Sequence, residues 1–201
     1  MSGYGIISKT ISCNCFKYMF MKKTEIFNLA DILGRMKRVK RTGWLKHRVP
    51  NPETDAEHSY SLAMLVMMFA PSYLDRYRCL QLALIHDLPE VFCGDFAPGE
   101  IAPEEKEKLE DSAMDMVVSR LNKPELRELF HEYNQLTSPE AKFVWALDRL
   151  DNVFTARFYE DNHRIALVRE FAESAYERLY YLDDTTLRTE LDKVLSALLK
   201  K

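Results

Sequence analysis

Residues 79–98 read CLQLALIHDLPEVFCGDFAP, and this stretch decides the fold. Its first half is apolar and nearly free of breakers, which predicts a helix from near Asp75 to about Leu88. His86 and Asp87 fall at its end. An Asp that follows six mostly apolar residues is expensive to bury unless it is paired or bound to a metal. Taken alone, the pair is better described as a solvent-facing Asp beside a partly buried His. Glu90 follows His86 by four residues, so on a continuous helix both share one face. Pro89 opposes that, because a proline inside a helix clashes with the carbonyl four residues back. Asp95 follows Gly94 at the start of a loop. Asp87, Glu90 and Asp95 repel one another at neutral pH; a bound cation relieves this, and a solvated acidic loop is the alternative.

Two outlying segments contribute the same kind of residue. Thr54-Asp55-Ala56-Glu57 matches a capping box and predicts a helix through Phe69, with His58 in its first turn. The helix dipole there disfavours a proton on His58, which suits a neutral imidazole ligand. Downstream, VWALDRLDNVF (144–154) buries Asp148 among Val144, Trp145, Leu147 and Leu150. Asp148, Asp151, Asn152 and Thr155 form a polar stripe at helical spacing, which needs a polar partner inside the fold. Ion pairing of this stripe with Arg149 or Arg157 is the alternative.

Composition agrees with helices. Only 6 of the 201 residues are Gly, too few for the tight turns of an all-β fold. Further helices are predicted over 25–39, 104–121, 124–134, 138–159, 163–182 and 185–199, with Pro124 and Pro139 at helix starts. Strand signals are almost absent, and the expectation is a single all-α domain of about seven to eight helices. With 47% hydrophobic residues the chain can build a core. No apolar run approaches the roughly 18 residues of a membrane span. The net charge of −3 favours neither nucleic acid nor an anionic membrane. Residues 1–20 lack the order of a signal peptide and read as a poorly ordered N-terminal extension, with a natural start near residue 21. Cys13 and Cys15 are too close for a zinc pair, and four scattered Cys make no disulfide scaffold, so reduced thiols in a cytoplasmic protein are expected. Three of the four glycines beyond residue 20, Gly43, Gly94 and Gly99, flank the candidate site, which suggests that backbone freedom is reserved for its loops.

The order His58…His86-Asp87…Asp148 resembles the HD-domain metal-dependent phosphohydrolases. HDLPEVFCGDFAP (86–98) looks like the HD-x-x-E-x₃-GD segment of the HD-domain 5′-deoxynucleotidases. RTGWLKHRVPNPETDAEHS (41–59) resembles their R-x-G-W…(D/E)-H-S region, and SPEAKFVWALDRLDNV (138–153) their fourth-ligand helix. The resemblance spans roughly residues 25–160 and implies an all-α HD domain over 21–201. It implies His58, His86, Asp87 and Asp148 as ligands of one divalent metal ion, with Mn, Co, Mg and Fe all compatible. A single ion fits because two-metal members carry additional His ligands, and here only His131 lies between Asp87 and Asp148. Glu90 and Asp95 resemble the catalytic carboxylates, without a division of roles between them. Trp44, Phe96, Ala97 and Pro98, with Asp87, Asp95 and Asp148, would line the substrate site. The best-known bacterial members carry Arg directly before the Trp, where this chain has Gly43, so Arg41 is the candidate to orient phosphate.

The implied reaction releases phosphate from deoxyribonucleoside 5′-monophosphates. The alternatives are an HD hydrolase acting on another nucleotide such as an alarmone, and a non-catalytic helical nucleotide-binding protein. Alarmone hydrolases use HD-x-x-E-D, whereas Val91 follows Glu90 here; the full ligand set opposes the non-catalytic reading. A basic run, Arg35, Lys37, Arg38, Lys40, Arg41, Lys46 and Arg48, is a solvated face, a nucleic-acid contact or a counterweight to an acidic metal centre. The last is preferred, because no groove-reading motif accompanies the run. A small-molecule nucleotide partner, no nucleic acid, no membrane and, from the family's habit, a homodimer are expected. Phe171, Tyr176, Leu179, Tyr180 and Leu182 pack internally or against a second subunit.

Overall fold

Proline and capping residues set the helix ends of this chain. The computed structural model describes residues 22–200. They form α1 (Lys23–Met36), α2 (Thr42–Lys46), α3 (Asp55–Phe69), α4 (Arg76–Ile85), α5 (Glu90–Cys93), α6 (Pro103–Leu121), α7 (Glu125–Gln135), α8 (Pro139–His163), α9 (Val168–Leu179) and α10 (Thr185–Leu199). Among the described residues the only β pairing is an isolated bridge between Lys40 and Thr54. The eight long helices are those expected from periodicity; α2 and α5, at five and four residues, are too short to show a period. The expected extension over residues 1–20, with Cys13 and Cys15, lies outside the described residues.

The starts follow local chemistry. Thr54 caps α3 by accepting from the Glu57 N–H, and Glu57 Oε2 accepts from the Thr54 N–H at 2.7 Å. Asp75 accepts from the N–H groups of Tyr77 and Arg78 at the head of α4. Ser138 caps α8 ahead of Pro139, and Asp184 caps α10. Several ends differ from expectation by a few residues, and two of them have a clear cause. α4 stops at Ile85 rather than about Leu88, because Pro89 has no N–H and its ring clashes with the Ile85 carbonyl in a continued helix. α8 runs on to His163 and closes with Arg164 in the left-handed region (φ 56°), which pushes the start of α9 to Val168.

α8 is the central helix and packs against α3, α4, α7, α9 and α10. Phe143, Val144, Leu147, Leu150 and Val153 lie on its buried faces. They join Leu62 and Val66 of α3 and Leu82 of α4 in one continuous core. Leu179 and Leu182 are buried, and Phe171 and Tyr176 pack against that core; Tyr180 is exposed. No described helix is long and apolar enough to cross a membrane.

Candidate metal centre

The first turn of α3, the end of α4 and the middle of α8 meet, and there the four expected ligands come together. His58 is fully buried, and His86 and Asp148 are 5% exposed. His58 Nε2 lies 3.3 Å from His86 Nε2, 3.2 Å from Asp148 Oδ1 and 3.8 Å from Asp87 Oδ2; His86 Nε2 lies 3.0 Å from Asp87 Oδ2. Ligands about 2.0–2.2 Å from a common ion are separated by roughly 3.0–3.6 Å. His58, His86 and Asp148 therefore offer ligand atoms close enough together to hold a divalent cation, and Asp87 lies beside the two imidazoles.

The outer contacts are arranged to the same end. His58 Nδ1 is 2.8 Å from Asp151 Oδ2, and His86 Nδ1 is 2.9 Å from the Ala83 carbonyl. With Nδ1 held by an acceptor, each ring directs Nε2 to the centre. The Asp148 stripe does not pair with Arg149 or Arg157 as the alternative had it. Arg178 of α9 donates to Asp148 Oδ2 at 2.5 Å, Asp151 holds His58, and Asn152 Oδ1 accepts from Arg41. Arg157 instead pairs with Glu160.

The charges are strongly coupled. Burial and the Arg41 charge push the His58 imidazole down, but its hydrogen bonds to the accepting carboxylates of Asp148 and Asp151 and the Asp148 charge outweigh them and carry it to about 10. A proton thus sits where a cation would be welcome. Burial alone would raise Asp87, yet the charges of His86 and Arg41 hold it well below the usual carboxylate range. Asp148 is likewise held down by Arg178 and Arg149 against its burial.

Glu90 corrects one expectation. It does not share a helix face with His86: α4 has ended, the Glu90 N–H donates to the Asp87 carbonyl, and Glu90 opens α5. The turn nevertheless aims its side chain inward, where it is 4% exposed with Oε2 unpartnered. Beside it lies Asp55, fully buried with neither oxygen hydrogen-bonded. Carboxylate oxygens of Asp55, Asp87 and Glu90 lie within 4.8 Å of one another. Burial and these like charges raise Glu90 well above its ordinary value and Asp55 to about 7, so the pair holds a proton near neutrality. Asp55 was read from sequence only as a helix-start residue. Its signal was its place three residues before His58 on the same helix.

The centre opens into a cavity of about 620 Å³. Arg41, Trp44, Asp87, Glu90, Asp95, Phe96, Ala97, Pro98 and Asp148 all line it. Asp95 Oδ2 accepts the Thr42 N–H at 2.5 Å, and its carbonyl accepts from Thr42 Oγ1 at 2.8 Å, which ties the loop to the start of α2. Gly94 (φ 80°) and Gly99 (φ 76°) make the backbone turns on either side of that loop; Gly43 sits in α2 without a positive φ and has no such duty. Trp44 is 1% exposed, donates to Glu53 Oε1 at 2.8 Å and stacks on Phe171 at 4.3 Å, so it is core and cavity wall at once. The basic run is dispersed: Arg41 enters the site, Lys46 pairs with Glu100 at its rim, and Arg35 pairs with Asp31 on the surface.

The HD domain family profile matches residues 33–188 of this chain. This chain belongs to the HD domain family. Among curated proteins, this HD domain is 36% identical over 173 residues to the human 5′-deoxynucleotidase HDDC2, covering 84% of this chain and 85% of that protein. It is 35% identical over 147 residues to the Schizosaccharomyces pombe 5′-deoxynucleotidase hdd1, covering 69% and 74%. Among solved structures, a conserved hypothetical protein from Pyrococcus furiosus superposes on 88% of this chain and 99% of its own, with a TM-score of 0.74 at 30% identity.

Proposed function

We propose that this HD domain is a metal-dependent 5′-deoxynucleotidase that hydrolyses deoxyribonucleoside 5′-monophosphates. The observation that carries the reading is the convergence of His58, His86, Asp87 and Asp148 at the head of a cavity walled by Glu90 and Asp95. The names of the human and fission-yeast relatives support the substrate class. His58, His86, Asp87 and Asp148 would hold one divalent ion, Mn, Co, Mg or Fe. Such an ion, when bound, lowers the pKa of a water and screens phosphate charge. In this proposal Asp95, held by the Thr42 N–H, would take the proton of the attacking water. Glu90, whose burial beside Asp55 raises it well above its ordinary value, would donate a proton to the departing 5′-oxygen. Trp44 and Phe96 offer apolar surface to the sugar and base.

Two further parts of the proposal concern its setting. A homodimer is supported by the apolar side chains exposed along α3 (Tyr60, Met64, Met67, Met68) and on neighbouring α4 (Tyr77, Leu84). A cytoplasmic location is supported by the free Cys79 and Cys93 thiols, which burial pushes up to about 12 and about 11.

The test is phosphate release from a panel of deoxyribonucleoside and ribonucleoside monophosphates and an alarmone, with Mn²⁺, Co²⁺ and Mg²⁺ supplied separately. Deoxyribonucleoside monophosphates are expected to turn over fastest, and Asp87→Ala is expected to abolish the rate. No release from any monophosphate, or full activity in that variant, overturns the reading.

A further inference from the structure

Besides the candidate ligand His86, six basic side chains line the cavity: Arg41, Lys46, His47, Lys106, Arg149 and Arg178. Five of them face a carboxylate. Arg41 meets Asp87 at 2.6 Å, Lys46 meets Glu100 at 3.5 Å, His47 meets Glu170 at 3.2 Å, Lys106 meets Glu110 at 3.2 Å and Arg178 meets Asp148 at 2.5 Å. Arg149 alone has neither a hydrogen bond nor an ion pair among the described residues, and its Nε is buried without a partner.

Its position explains the isolation. α8 turns Trp145, Asp148, Arg149 and Asn152 to the cavity at i, i+3, i+4 and i+7, so Arg149 sits beside a metal-ligand candidate. Asp148 is nonetheless engaged by Arg178 and His58. Burial, with the nearby charges of Arg178 and Arg41, lowers the Arg149 pKa from its ordinary value against the opposing pull of the Asp148 charge. A guanidinium stays protonated in proteins, so the charge remains and wants an anion. The residue is half-buried, with only its Nε shut off from solvent; a partly buried charge without a partner is costly, and such groups recur at functional sites. Arg41, the candidate from sequence for orienting phosphate, has its own fork occupied by Asp87 and Asn152.

We infer that Arg149 is the phosphate-binding guanidinium of this site. Its planar fork pairs with non-bridging oxygens of a nucleotide phosphate presented to the His58–His86–Asp87–Asp148 centre. The identity of the phosphate as a 5′-monophosphate rests on the function proposed above; the anion preference of Arg149 does not.

Arg149→Gln and Arg149→Lys separate a binding role from a structural one. The first readout is thermal denaturation of the protein as purified and after addition of Mn²⁺, with and without inorganic phosphate. Without phosphate, Arg149→Gln is expected to melt at or above the unsubstituted protein, since an unpaired charge is gone. Phosphate is expected to stabilise the unsubstituted protein and to have little effect on Arg149→Gln, with Arg149→Lys between them. The second readout is kinetic. Arg149→Gln raises KM for a deoxyribonucleoside monophosphate by about tenfold or more, while inhibition by the phosphate-free deoxynucleoside is unchanged. An Arg149→Gln protein that melts lower without phosphate yet responds to phosphate normally overturns the inference, as does an unchanged KM. If the unsubstituted protein hydrolyses no monophosphate, the proposed function fails, and the phosphate response of the variants still decides the role of Arg149.

Discussion

His58 stands between two carboxylates, with Asp148 at Nε2 and Asp151 at Nδ1. Each neighbour does separate work. Asp148 shares the metal-facing side, whereas Asp151 holds the opposite nitrogen and so sets the tautomer. Asp151→Asn keeps the shape but exchanges the charged acceptor for an amide. It is expected to weaken metal binding by roughly 10–100-fold, measured by titrating metal into the apoprotein. The same geometry sets a pH dependence. With its pKa raised to about 10, His58 of the metal-free protein carries a proton at pH 7, and a metal ligand must release it. Metal affinity is therefore expected to rise with pH throughout the range below 10, by about a hundredfold from pH 6 to pH 8 if one proton leaves. Calorimetric titrations in buffers of different ionisation enthalpy count the protons, and a pH-independent affinity contradicts this account. Asp55 and Arg178 escaped the sequence reading for a plain reason. A carboxylate at a helix start and an Arg on an amphipathic helix are ordinary surface residues until packing buries them.

At the scale of elements, short turns do most of the positioning. Pro89 ends α4, and the following turn delivers Glu90 to the centre on a separate helix, which the four-residue spacing from His86 could not reveal. Five-residue α2 carries Trp44 and receives the Asp95 carboxylate at its first N–H group. The capping box of α3 orients Asp55 and His58 together, since both lie in the first turn beyond Thr54. Thr54→Ala is expected to cost about 1 kcal/mol, seen as a melting point lower by about 2–4 °C for a chain of this size. Metal affinity is expected to fall with it. Helix existence was legible because periodicity and caps are local. Helix ends at Pro89 and Arg164 were less so, because they depend on backbone geometry that spacing does not encode.

Over the whole molecule, α8 unites core and site: its apolar faces fill the centre of the bundle while Asp148, Asp151 and Asn152 line the candidate metal centre. A cation that binds only the folded chain stabilises all of it. Chelation is expected to lower the melting point by several degrees and re-addition of metal to restore it, since a hundredfold excess over Kd contributes about 2.7 kcal/mol. Elemental analysis is expected to find one ion per chain. Two would place a second cation at Asp55, Asp87 and Glu90 and remove the shared proton assigned to them. The sequence by itself determined the helical class, the eight long helices and the four candidate ligands, because periodicity, capping and the spacing of His58, His86-Asp87 and Asp148 are written along the chain. Only the tertiary structure decided how charge is distributed around them. It buried Asp55 and Glu90 side by side, which raises both carboxyls, gave Arg41 to Asp87, gave Arg178 to Asp148 and left Arg149 without a partner among the described residues. Burial and pairing depend on which distant segments meet, and one dimension of sequence does not hold that information.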